Sequence, residues 1–200
     1  KLQFIDLANI IAHENTILNQ IKAQLLDYTQ TPKDKNRLIK FIETITNDGK
    51  RAMVDLNEIA VKCYFHPATQ ARTSIKKVLP AVLKTSKLLK EEYSRSIGKN
   101  SSLNFPETFI WFEEINGEAA DPYELLKQHA VDLFSAKSSN LSQENLLIAE
   151  GGAAAMAYAR LQFENINPGE RTKIENALLR YCELDTLAMV MILRAWMDWA

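Results

Sequence analysis

Arg180-Tyr181-Cys182-Glu183-Leu184-Asp185-Thr186 sets a tyrosine four residues ahead of an aspartate inside an otherwise apolar helical run. A helix places residues four apart one turn above each other, so a phenol and a carboxylate share one face. Counting by threes and fours, the neighbours on that face are Ile174, Leu178, Met189, Ile192 and Trp196, residues that ordinarily make a core. Asp185 stands where a leucine is expected. A buried, unpaired carboxylate costs several kcal/mol or takes up a proton, so such an acid has a cation, a metal or a hydrogen-bond donor beside it. Two readings follow: Tyr181 donates to Asp185 and the pair orients the helix, or the two groups share a proton or a metal-bound water.

Working outward, other blocks occur in order along the chain. They are His13-Glu14-Asn15-Thr16-Ile17-Leu18, Val54-Asp55-Leu56, and Tyr64-Phe65-His66-Pro67 leading into Ser74-Ile75-Lys76-Lys77-Val78-Leu79-Pro80-Ala81. Glu150-Gly151-Gly152-Ala153-Ala154 follows with Ala157-Tyr158, and last comes Tyr181-Cys182-Glu183-Leu184-Asp185-Thr186-Leu187-Ala188-Met189. Tyr181-x-x-x-Asp185 in a C-terminal helix resembles the third motif of RNase H-like 3'-5' exonucleases of the DEDD type, tyrosine subclass. The ordered blocks together resemble the bacterial family called domain of unknown function 2779, which is thought to carry that nuclease fold.

The resemblance implies an α/β, helix-rich chain with an RNase H-like exonuclease fold, lacking its N-terminal strands and carrying a helical insertion at roughly 72–165. It implies one domain over residues 1–200, the C-terminal part of an RNase H-like domain, with the rest of the parent protein upstream of Lys1. It also implies a metal-dependent nuclease using Mg²⁺ or Mn²⁺, in which Tyr181 positions the attacking water and Asp185 ligates the ion. Glu14 stands at the second-motif position, where many such enzymes have aspartate, so Tyr181, Asp185 and Glu14 are the implied catalytic residues, with Asp185 and Glu14 as metal ligands. Hard divalent cations take oxygen ligands, and a two-metal site needs several carboxylates. The Asp-x-Glu pair of the first motif is absent from the sequence. That leaves a second expectation, a module that binds nucleic acid or another protein on the same fold without chemistry.

Charge bears on the partner. The net charge is -1. Residues 72–99 nevertheless carry eight basic side chains (Arg72, Lys76, Lys77, Lys84, Lys87, Lys90, Arg95, Lys99) against two acidic ones, Glu91 and Glu92. Residues 101–200 carry seven basic and fifteen acidic residues. A basic segment can neutralise a phosphate backbone, with Arg72, Lys76 and Lys77 the nearest to a nucleic-acid contact. Lys84, Lys87 and Lys90 at three-residue spacing also fit a solvated helix face. At 46% hydrophobic and 24% charged residues the composition is that of an ordinary globular protein, and no apolar run reaches the ~18 residues needed to span a bilayer. A cytoplasmic setting is the default expectation, and an oligomer is possible. Cys63 and Cys182 are too few for a disulfide framework and read as free buried thiols.

The periodicity reads as a strand over Leu7–Ala12 feeding a helix from Glu14 to Tyr28, with Glu14, flanked by His13 and Asn15, at the junction. A second helix bears Leu38, Ile39, Phe41, Ile42 and Ile45, and Asp55 either caps the next helix or joins the site. Ser74 caps a helix that Pro80 should kink or end, and Ser86–Tyr93 forms another. The aromatic run Thr108–Glu114 suggests a strand, Asn116-Gly117 a turn, and Pro122 the start of a short helix. A helical region from Leu141 or Ser142 to Phe163 carries Gly151-Gly152 as a close-packing device, and Glu170–Trp199 is one long helix. Glu14 and Asp185 are expected to meet across a solvent-reachable hollow.

Overall fold

A computed structural model describes residues 10–27, 32–46, 49–98, 102–127 and 151–200. The expected loop at 136–140, the helix start at 141–150, positions 7–9, Asn47, Asp48 and Lys99 lie outside them. The described residues gather into two compact units, within Ile5–Tyr64 and Phe65–Ala200.

The first unit is helical. Helix α1 spans Ile10–Asp27, α2 Lys35–Ile45 and α3 Leu56–Cys63. The expected strand is corrected over Ile10–Ala12, which belong to α1. Six apolar residues cannot distinguish a strand from a helix, and here Ile11, Leu18 and Leu25 carry the seven-residue spacing back into the run. Helices α1 and α2 pack on each other, with Ile42 buried and Lys22 paired to Glu43 at 2.9 Å. Asp55 is the cap: its Oδ1 accepts from the Asn57 N–H at 2.8 Å and the Glu58 N–H at 3.2 Å. Two donors at the start of α3 are thereby satisfied.

The second unit begins with a 3₁₀ turn, Pro67–Thr69, then α4 (Ile75–Thr85) and α5 (Lys87–Tyr93). Strands β1 (Glu114–Ile115) and β2 (Glu118–Ala119) pair antiparallel, Glu114 opposite Ala119. A short helical segment at 122–127, α6, precedes α7 (Gly151–Phe163) and α8 (Pro168–Trp199). Asn116 and Gly117 both have positive φ, 56° and 80°, the tight-turn geometry that lets two short strands meet. The expected strand over Thr108–Glu114 shrinks to its last residue. Phe105, Phe109 and Trp111 instead cluster, with ring centroids 4.4 to 4.9 Å apart. The backbone there bonds across to residues 93–98, as in Phe112 N–H to the Tyr93 carbonyl at 2.9 Å.

The core lies where α4, α5 and α7 pack on α8. From α4 come Val78, Leu79, Val82 and Leu83, and from α8 Leu184, Ala188, Met191 and Ala195, each at most 1% exposed. Helix α8 has 32 residues and is therefore about 48 Å long. Of its expected core stripe, Ile174, Leu178 and Ile192 are buried, while Met189 and Trp196 are half-buried. Pro80 sits inside α4 without ending it. Ser74 occupies the N-cap without a side-chain bond, whereas the Ser86 hydroxyl caps α5 through the Leu89 N–H at 3.2 Å. Among the described residues an added Cβ at Gly152 would meet nothing within 4 Å, whereas Ala154 and Ala157 are the buried small residues of α7, which packs on α8. Cys63, the last residue of α3, is exposed rather than buried, and Cys182 is half-buried. Among the described residues no helix is long and apolar enough to cross a membrane.

Candidate functional site

Asp185 lies half-buried on the side of α8 that meets α4 and α6, and its environment answers what an acid in an apolar seam requires. The Tyr123 hydroxyl, on α6, donates to Asp185 Oδ1 at 2.7 Å. Tyr181 donates to the same carboxylate from one turn earlier in α8. Both phenols are 3% exposed. The Lys76 ammonium, in the first turn of α4, stands 5.2 Å from the Tyr123 ring centroid and 5.5 Å from that of Tyr181. A cation within about 6 Å of a ring face is drawn to its negative quadrupole, and here it also faces the carboxylate's charge. Three helices thus contribute one ammonium, two phenols and one carboxylate to a single cluster.

Electrostatics follow from burial. Desolvation holds the Asp185 carboxyl above the usual carboxylate range, although the two tyrosine hydrogen bonds and the Lys76 charge pull it down. Desolvation also pushes the Tyr123 phenol up, reinforced by the charge of Asp185, so Tyr123 keeps its proton and remains a donor. Asp121, whose Oδ1 accepts from the Tyr123 N–H at 2.9 Å, starts α6 and fixes the approach of Tyr123. Burial raises its carboxyl as well, partly offset by that hydrogen bond and by the charges of Lys127 and Lys77.

The expected residues divide by location. Tyr181, Asp185 and Lys76 come together, whereas Lys77 reaches the neighbouring Asp121 only through its charge. Arg72 is exposed, its N–H bonded to the Thr69 carbonyl at 3.0 Å. Glu14 is half-buried inside α1 of the first unit, not at a strand end, and the cluster just described is formed within the second unit. Two cations of the basic segment are matched by acids distant in sequence, and one of its two acids is taken up by a distant arginine. Lys84 pairs with Glu118, Lys90 with Glu114 at 3.3 Å, and Glu92 with Arg194. Tyr123 is the participant that sequence reasoning missed. Its only local signal is Asp121-Pro122, which announces a helix start but not a partner 62 residues away.

A divalent-ion pair is tested by the donors present. Among the described residues, no three His, Cys, Asp or Glu side chains come together as ligands. Asp185 Oδ1 is engaged by a phenol, and an ammonium already supplies positive charge nearby. The described residues gathered at Asp185 do not by themselves fit two hard cations, which need several carboxylate oxygens in common.

A separate groove of about 680 Å³ runs along another side of α8, lined by Tyr93, Ile97, Trp111, Leu179, Leu187 and Val190 among others. On its edge Asn104 donates to Glu183 at 2.6 Å, and Arg180 donates to the Asn104 carbonyl at 2.8 Å. Burial raises the pKa of the Cys182 thiol in its wall, which argues against a reactive thiolate. No family model, curated protein or solved structure matches the chain.

Proposed function

We propose that the chain is a nucleic-acid-binding module on an RNase H-like, exonuclease-like scaffold of the domain-of-unknown-function 2779 type, in which the Tyr181–Asp185 pair is held by protein groups. The single observation carrying this reading is the hydrogen bond from Tyr123 to Asp185, at 2.7 Å, made beside Tyr181 and Lys76. The scaffold assignment rests on the order of the sequence blocks. The described residues are helix-rich with one small two-stranded hairpin. A neutralised Asp185 retains the pattern of a nuclease motif while serving to join α4, α6 and α8.

The second reading is a 3'-5' exonuclease dependent on Mg²⁺ or Mn²⁺. It is favoured by the shared face of Tyr181 and Asp185, where a phenol and a carboxylate could address one water. Calorimetric titration of the whole chain with Mn²⁺, repeated on Asp185→Asn, separates the two, alongside incubation with 3'-labelled single strands. Binding of the strands without shortening, and no Mn²⁺ heat that depends on Asp185, is the expected result. Mn²⁺ binding abolished in Asp185→Asn, with shortening of the labelled strand, would hand the site to the exonuclease.

A further inference from the structure

The exposed side of α2 carries chemistry that the Asp185 cluster does not use. Arg37, Lys40, Phe41 and Thr44 follow the i, i+3, i+4, i+7 pattern and so form one stripe, beside the inward stripe of Leu38, Ile42 and Ile45. Phe41 is 48% exposed although it lies in a helix whose other large apolar residues turn inward. A shallow hollow of about 490 Å³ surrounds it, lined by Asn36, Arg37, Lys40, Phe41 and Thr44. Among the described residues neither Arg37 nor Lys40 forms an ion pair, and the nearby acid Glu43 is engaged by Lys22 at 2.9 Å. In the segment 72–99, by contrast, Lys84 and Lys90 are already matched by hairpin glutamates.

We propose that this stripe of α2 is a contact surface for single-stranded nucleic acid, with Phe41 stacking on a base and Arg37 and Lys40 pairing with flanking phosphates. The inference rests on the nucleic-acid reading given above and assigns it a surface. An accessible ring between cations that no described acid neutralises is the combination that unpaired strands require, because a base in a duplex hides its faces from a side chain. Asn36 and Thr44 add short hydrogen-bonding groups at the edge of the hollow. One aromatic ring amid charged and polar neighbours offers too little apolar surface for insertion into a bilayer, which needs a wide apolar face.

The test is fluorescence anisotropy of the full chain with labelled oligo-dT and oligo-rU, across a range of salt. Arg37→Gln with Lys40→Gln should weaken binding and flatten the logarithmic salt slope by about 1.4, at ~0.7 per phosphate released from a single strand. Phe41→Ala should weaken it about 5- to 150-fold, as stacking of ~1–3 kcal/mol per base implies, with the salt slope unchanged. Phe41→Trp should retain binding, which separates stacking from a folding defect. If the wild type binds and these variants bind equally well, the α2 surface is wrong while the nucleic-acid reading stands. Should the wild type bind neither oligomer, both fall. Phosphatidylserine vesicles captured in place of the oligomers, with capture lost in the same variants, would overturn the proposal in favour of a lipid surface.

Discussion

Tyr123→Phe removes one hydroxyl from the buried cluster and leaves the ring that Lys76 faces. Tyr123 is 3% exposed and its oxygen stands 2.7 Å from Asp185 Oδ1, while Asp185 itself is half-buried, so the lost donor is one that water replaces only in part. A hydrogen bond to a charged group contributes roughly 1.5–3 kcal/mol, and we expect a loss of about 2 kcal/mol at pH 8. The loss has a pH signature. The Tyr123 bond favours ionised Asp185, whose carboxyl burial already raises, so in the variant that carboxyl rises further. The bond therefore contributes most where Asp185 is charged, and the penalty shrinks as pH falls through the folded-state pKa of the acid. Urea unfolding followed by tryptophan fluorescence suits the measurement, because Trp111, Trp196 and Trp199 all lie in the Phe65–Ala200 unit. With a slope of ~1–3 kcal/mol/M the midpoint should fall by about 1 M. A double-mutant cycle with Asp185→Asn should return a coupling of about 1–2 kcal/mol. A loss below about 0.5 kcal/mol at pH 8, or one equally large at pH 4, would show that the phenol does nothing for the carboxylate, and the cluster reading would fail.

Two further outcomes are expected. Because burial raises the folded-state pKa of Asp185 above its unfolded value, its titration adds stability below the unfolded pKa that is lost as pH rises through the folded one. Comparing unfolding curves from pH 4 to pH 8, the balance should accordingly move toward Asp185→Asn as pH rises, and a constant difference would contradict the raised carboxyl. Leu184→Ala empties a position 0% exposed one residue before that acid, and should cost about 2–5 kcal/mol by chemical denaturation. A cost under 1 kcal/mol would mean that α8 repacks freely there.

Local spacing made the Tyr181–Asp185 pair, the Asp55 cap and the Asn116-Gly117 turn legible in the sequence, because each depends on residues within one turn of helix or hairpin. Lys76 and Tyr123 stand far from Asp185 in sequence, and their relation to it exists only once α4, α6 and α8 are packed. The strand readings failed for different reasons. Ile10–Ala12 is a run too short to carry its own period, whereas Phe109 and Trp111 satisfy their apolar surface against each other and Phe105. Linear charge was the least transferable signal. The excess over 72–99 is real, but Glu114 and Glu118 come back on the hairpin to meet Lys90 and Lys84, whereas Arg37 and Lys40 lie outside that segment and pair with no described acid.

An acid in the seam of α8 has a structural consequence even without chemistry. The surrounding interface is made of Leu79, Leu83, Leu184 and Met191, aliphatic side chains that pack acceptably in more than one register. Sliding α4 by a turn along α8 would exchange leucine contacts at modest cost. It would also draw Lys76 away from Asp185, leaving the half-buried carboxylate without the positive charge that now lowers its pKa. The Tyr123 hydroxyl imposes the same condition on α6, since a phenol that is 3% exposed must find an acceptor. Asp185 thus gives up the stability that a leucine would contribute, and in return it disfavours arrangements of α4, α6 and α8 that separate Tyr123 and Lys76 from it.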